Sequence, residues 1–155
     1  MAELQSAGLM MYSLKNSKLK IFLVHPGGPF FTKKDEGYWG IPKGLVEKDE
    51  DLFETAKREF IEETGIVPSG KFISLDSVIQ KSGKKVYAWA YEAEDDVPIE
   101  ITCNTFELEW PPRSGKKKNF PEVDRGEFFT VEEAKKKINS AQIDFIDRLE
   151  KYLNS

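Results

Sequence analysis

Apolar residues cluster early in the chain, in two short runs. Leu9, Met10, Met11, Tyr12 and Leu14 form the first, and Leu19, Ile21, Phe22, Leu23 and Val24 the second. Polar residues 15–18 lie between them, which predicts two strands joined by a hairpin turn, the second more fully buried. His25-Pro26-Gly27-Gly28-Pro29 then interrupts any regular structure, and residues 30–39 read as an irregular loop with aromatic anchors. Over residues 52–64 the period changes. Leu52, Phe53, Ala56 and Phe60 fall on one arc of a helical wheel, and Gly65 supplies a C-terminal stop. Residues 72–79 and 85–92 predict strands across a Ser82-Gly83 turn. Val86, Ala88 and Ala90 alternate with Tyr87, Trp89 and Tyr91, so the second of these strands reads as central or covered on both sides.

Glu92, Glu94, Asp95 and Asp96 form an acidic tract that ends that strand and faces solvent. Phe106, Leu108 and Trp110 alternate with Glu107 and Glu109, a half-buried strand stopped by Pro111-Pro112. Residues 113–119 are basic and read as a flexible segment, and residues 120–125 as a loop of charges interleaved with apolar anchors. Thr130 and Glu133 form a capping box that starts a short helix running to about Asn139. Ile143, Ile146, Leu149 and Leu153 then recur at helical spacing, a side suited to covering a sheet or contributing to a dimer. Neither a repeat nor a linker divides the chain, so one domain over residues 1–155 is expected.

Composition narrows the function. No run of about 18 apolar residues occurs, so no membrane span is predicted, and the acidic start without basic residues argues against a secretory signal. Twenty-three basic residues against 27 acidic ones give a net charge of -4, which does not suit a protein held to nucleic acid by counterion release. The single Cys103 cannot form an internal disulfide and reads as a small buried or half-buried residue. A reducing, cytoplasmic setting follows as the expectation.

The chemistry concentrates in residues 44–66. Glu59, Glu62 and Glu63 lie one helical turn or less apart and share one side of the predicted helix, beside its apolar arc. Carboxylates that close repel one another, and desolvation at a buried margin adds to the cost. A hard divalent cation relieves both. Oxygen donors without a neighbouring thiol or imidazole favour Mg²⁺ or Mn²⁺ over Zn²⁺. The alternative is a solvated acidic helix end balanced by Lys57 and Arg58. Upstream, Trp39-Gly40-Ile41-Pro42-Lys43-Gly44 combines a large anchor with residues able to hold backbone close to a ligand. Gly44 could present its carbonyl to the helix carboxylates, and Lys43 could meet phosphate charge.

Gly44, Glu50, Arg58, Glu59, Phe60, Glu62, Glu63, Gly65 and Ile66 occupy every fixed position of the pattern G-x5-E-x7-R-E-U-x-E-E-x-G-U, where U is a bulky apolar residue. In this the chain resembles the Nudix (MutT-like) hydrolases. WGIPKG is typical of them too, and the order of elements is similar over most of the chain.

The resemblance implies an α/β fold, an α/β/α sandwich around a mixed sheet, and hydrolysis of a nucleoside diphosphate linked to another moiety. It implies that Glu59, Glu62 and Glu63 bind Mg²⁺ (or Mn²⁺), with the Gly44 carbonyl a frequent further ligand. Arg58 would orient the cluster by pairing with Glu50, a task for which its rigid fork is suited. Water would attack a phosphoryl group, with Glu59 or Glu63 as first candidate for the base. Some relatives place the base on a loop outside the box, for which Glu109, Glu122 and Asp124 are the candidates, each with a structural role as its alternative. His25 reads as a contact to base or phosphate, or as packing. Lys33, Lys34, Lys43 and Arg113 read as phosphate contacts or as solvated surface residues, with the solvated role favoured for Lys33 and Lys34, and Arg125 as a phosphate clamp or the partner of Glu122 or Asp124. Trp39, Tyr87, Trp89 and Phe106 are either stacking platforms or core, with core favoured for Trp89.

The expected substrate is a nucleoside polyphosphate, either a nucleoside triphosphate or a dinucleoside polyphosphate. The alternatives are a nucleotide sugar or ADP-ribose, or nucleotide binding without hydrolysis. Lys81 stands where relatives that cleave ADP-ribose tend to carry Pro, and residues 82–84 stand where relatives that cleave dinucleoside polyphosphates often carry Tyr. Monomer and homodimer are both compatible with the last helix.

Overall fold

The first long strand, β1 (Gln5–Ser13), is buried on both faces, and the architecture follows from covering them. Met10 and Tyr12 point into one apolar cluster, and Ala7, Leu9 and Met11 into the other. The computed structural model describes residues 4–94 and 103–154. Asp95 and Asp96 of the acidic tract and residues 1–3 of the N-terminal segment lie outside them.

A short 3₁₀ turn, Lys15–Ser17, leads to β2 (Lys20–Pro26). After the Pro/Gly break come β3 (Lys43–Leu45), α1 (Leu52–Thr64), β4 (Phe72–Ile79) and β5 (Lys85–Glu92). β6 (Thr105–Glu109) and β7 (Lys117–Pro121) precede β8 (Val123–Thr130), α2 (Val131–Lys137) and α3 (Ile143–Leu153). The main sheet runs β4-β5-β1-β2-β8, with β3 attached to β1. β1 and β5 are parallel and the other pairs antiparallel, so the sheet is mixed.

α1 covers one face through Ala56 and Phe60, which pack with Leu9, Met11, Phe22 and Val24. α3 covers the other through Phe145, Ile146 and Leu149, joined by Ala134 of α2. The result is an α/β/α sandwich. The apolar side of the last helix is used on the sheet. Among the described residues no helix is long and apolar enough to cross a membrane.

One departure from regular pairing creates the site. β1 and β2 pair only at Tyr12↔Ile21 and Ser13↔Lys20. Beyond that they diverge, and the chain from Gly40 to β3 enters the gap. Gly40 bridges Val24 of β2, while Gly44 and Lys43 pair with Ala7 and Gly8 of β1. The WGIPKG segment is therefore a wedge between diverging strands.

Three sequence expectations need correction. Residues 113–119 are not a flexible segment throughout, because β7 begins at Lys117 and pairs with β6 in a separate hairpin. Residues 120–125 are not only a loop, because β8 begins at Val123 and forms the sheet edge against β2. In both, cross-strand contacts rather than an apolar alternation make the strand. Lys117 meets Glu107 at 3.4 Å, and Phe128 meets Phe22 with ring centroids 5.3 Å apart. α2 stops at Lys137, two residues before the expected end. Ile138 turns extended, is buried, and bridges Trp39.

Candidate active site

The box helix α1 begins at Asp51, whose side chain accepts from the Glu54 N–H, and ends at Gly65 in the left-handed conformation with φ 78°. These caps set the register that places Phe60 inward and the carboxylates of Glu59 and Glu63 along the margin facing β3. Gly44 lies directly above Glu59. A Cβ built on Gly44 would fall within the Glu59 carboxylate, so this position admits only glycine without displacing the acid.

Arg58 organises the rest. Its Nε donates to Glu50 Oε2 at 2.8 Å and its Nη2 to Glu50 Oε1 at 2.9 Å, a bidentate pair. Its Nη1 donates to Glu59 Oε1 at 3.0 Å and to Glu62 Oε2 at 3.2 Å. The Arg58 bonds hold Glu50 down at a pKa of about 2, and the Glu50 contact foremost raises that of Arg58.

Glu63 is different. Its Oε2 is buried and has no hydrogen-bond partner. Burial, then the negative charge of Glu59, push its pKa up to about 8 against the pull of Lys43. The pKa of Glu59 is raised as well, chiefly by burial and against the opposing charge of Arg58. Glu122, at the turn between β7 and β8, adds negative charge to both.

Glu63 opens onto a cleft of about 180 Å³ at the wedge. Lys43 lines it, with its pKa lowered by burial foremost and by the charge of Lys84, while Glu63 and Glu59 oppose the shift. Glu122 stands on the rim. Tyr38, Gln80, Asn139 and Gln142 complete the polar lining. Sequence reasoning missed these four. Each is an isolated polar or aromatic residue in a loop or turn, with no pattern to single it out. Gln142 is 1% exposed, and its Oε1 accepts the Ile41 N–H at 3.1 Å, so it pins the wedge as well as lining the cleft.

Other expected contacts lie elsewhere. His25 is fully buried, with Nδ1 2.8 Å from Asp124 Oδ1 and Nε2 2.6 Å from the Lys34 carbonyl, so neither ring nitrogen is available to a substrate. Packing, not base or phosphate contact, is its place. Glu109 is exposed on the β6–β7 hairpin and accepts the Arg113 N–H at 2.6 Å; it does not line the cleft. Arg125 lies over the Trp39 ring at 5.1 Å and 3.6 Å from Asp124, which is its structural alternative rather than a phosphate clamp. Trp39 is core, its Nε1 donating to Asp35 at 2.8 Å. Tyr87 and Trp89 pack on the α1 side, and Phe106 on Phe120. Lys33 and Lys34 are exposed.

Among the described residues no three His, Cys, Asp or Glu side chains stand together as a set that could hold a metal ion. The reason is visible in the bonds: Arg58 draws Glu62 and one oxygen of Glu59 toward Glu50. The donor set nevertheless fits a hard cation. Glu63 carries an orphaned buried oxygen, Glu59 is destabilised as an anion, and all the candidate donors are oxygens.

A family model described as the NUDIX domain matches residues 5–149. The chain belongs to the Nudix hydrolase family. It is 36% identical over 80 residues to the asymmetrical bis(5'-nucleosyl)-tetraphosphatase of Rattus norvegicus, a match covering 47% of this chain. That match spans 54% of the rat protein, about half its length. Its fold is similar to that of a C. elegans Ap4A hydrolase in a binary complex, with a TM-score of 0.67 and 18% identity over 96% of this chain and 98% of the other. It is similar also to the Nudix domain of Shewanella oneidensis NrtR, solved with ADP ribose, with a TM-score of 0.70 and 18% identity over 99% of this chain and 90% of the other. These structural likenesses extend the Nudix fold over nearly the whole chain.

Proposed function

We propose that this Nudix protein hydrolyses a diphosphate linkage in a nucleoside polyphosphate, a nucleoside triphosphate or a dinucleoside polyphosphate, with Mg²⁺ or Mn²⁺. The observation that carries the reading is the buried carboxylate of Glu63 beside Glu59, with one oxygen left without a hydrogen-bond partner, opening onto a cleft that also holds Lys43. A desolvated acid whose neighbouring Lys43 does not offset burial and the charge of Glu59 is kept in a fold at a cost, and a bound cation removes that cost. The similarity to the rat tetraphosphatase supports the nucleotide class.

Glu59, Glu63 and the Gly44 carbonyl would hold the ion, joined by Glu62 on release from Arg58. Bound there, it would neutralise phosphate oxygens and acidify a water. Lys43 would orient the phosphate chain from the inner wall of the cleft, with its charge toward the oxygens that gain electrons. Arg58, locked on Glu50, would keep the helix carboxylates in place. Glu122 faces the pair across the cleft with no ion-pair partner among the described residues, and so is left to accept the proton of the attacking water.

Chromatographic separation of the mononucleotide products formed from nucleoside triphosphates, dinucleoside polyphosphates and ADP-ribose tests this, with the unaltered protein beside Glu59→Gln, Glu63→Gln and Glu122→Gln. Turnover is expected on the first two classes, with kcat lowered by about 10²-fold or more in each variant. Near-native rates in both box variants would overturn the mechanism.

A further inference from the structure

The pairing of β2 with β8 slips at one place. His25 faces Arg125, but Pro26 faces Val123, so Asp124 is an extra residue on β8, a β-bulge. The slip has a definite consequence for which side chains face inward. Phe22 and Val24 of β2 face the α1 side of the sheet, opposite Phe128 and Gly126. With unbroken alternation, Asp124 would come opposite Pro26 on that apolar face and Val123 would turn away. With the bulge, Val123 takes the place and is 4% exposed among Phe22 and Val24.

The bulged residue is held by side-chain bonds. Asp124 Oδ1 lies 2.8 Å from Nδ1 of His25, a residue with no solvent exposure, and 3.6 Å from Nε of Arg125. The other ring nitrogen of His25 meets the Lys34 carbonyl at 2.6 Å, and its ring lies edge-on to Trp39 at 5.2 Å. Glu122 sits two residues before Asp124. Its carbonyl accepts the Gly27 N–H at 2.9 Å, and its N–H donates to the Asn104 carbonyl at 3.0 Å. Gly27 in turn is two residues after His25. The bulge is thus closed on both sides of Val123, by the His25–Asp124 contact and by the Gly27–Glu122 bond.

We propose that His25 and Asp124 are positioning residues whose contact fixes the bulge and thereby aims Glu122 at Glu59 and Glu63 across the cleft. The assignment rests on the nucleotide-hydrolysing reading above. The only buried histidine of the chain then serves the reaction without touching substrate, by tying the loop of residues 27–39 and the β7–β8 turn to one another. Bulges re-aim side chains next to active sites, and outer-sphere partners of this kind typically alter activity by about 10- to 100-fold.

The test combines Asp124→Ala, Asp124→Asn and Glu122→Gln in the full chain. Asp124→Ala is expected to lower kcat about tenfold with nucleotide KM unchanged, and Asp124→Asn, which keeps an oxygen toward His25, to retain most of it. In the Glu122→Gln background the Asp124→Ala effect should shrink below about twofold, because the two act as one unit. Hydrogen exchange of the Gly27 amide should accelerate in Asp124→Ala and not in Asp124→Asn. Equal kcat losses with and without Glu122, or an unchanged Gly27 exchange rate, would overturn the proposal. A protein that turns over no nucleotide would instead overturn the proposed function, and the Gly27 amide would still decide whether the contact holds the bulge.

Discussion

Glu63 shows how one residue reports on the site. Its pKa in the folded chain is about 8, against an ordinary 4.5, so between those values the folded state binds a proton that the unfolded state releases. Its contribution to stability is therefore present in full below about 4.5 and is lost as pH rises through about 8. In metal-free solution, thermal unfolding should show a Tm that falls across this window relative to Glu63→Gln, which lacks the group. Saturating Mg²⁺ should flatten the difference, because the ion favours the ionised acid. The slope would be absent if Glu63 were solvated. Glu50 titrates in the opposite sense. Held down at about 2 by Arg58, it favours the fold in full above 4.5 and loses that effect progressively as pH falls from 4.5 through about 2.

At the scale of elements, α1 carries the reactive register and its ends hold it. The Asp51 side chain accepts the Glu54 N–H at 3.2 Å, satisfying one of the donors left free at a helix start. Asp51→Ala should cost about 1 kcal/mol in urea unfolding, with the m-value unchanged. The box helix is legible in the sequence, because Leu52, Ala56 and Phe60 repeat at its period and Gly65 stops it. β7 and β8 are not. Lys117–Pro121 has no apolar alternation and becomes a strand by pairing with β6. β8 lies at the sheet edge, so its outward positions tolerate Asp124, Arg125 and Glu127, which read as loop.

Over the whole molecule, the two helical layers have separate tasks. α1 carries the carboxylates, while α3 seals the far face with Phe145, Ile146 and Leu149, all fully buried. Leu149→Ala removes core packing on the layer away from the box. It should cost about 2–5 kcal/mol in urea unfolding and leave kcat of the folded protein within about twofold. A comparable loss of kcat would mean that the layers are coupled through the wedge, where Gln142 joins the α3 side to Ile41.

The fold class came with the resemblance that the box pattern carries; the amino-acid sequence by itself determined the box helix, its stop at Gly65 and the acids that stand one turn apart on it. These depend on neighbours within a few residues, and a helical period carries that information. Tertiary structure decided which acids outside the box reach the cleft, sealed His25 in the interior, and brought Tyr38, Gln80, Asn139 and Gln142 to one opening. Glu109 and Glu122 were equal candidates in the sequence. The pairing of β6 with β7 sends one to an exposed hairpin, and the β7–β8 turn holds the other on the cleft that Glu63 lines. Such choices arise from contacts between residues far apart in the chain, where a single bulge changes the face a side chain meets, and no local pattern records them.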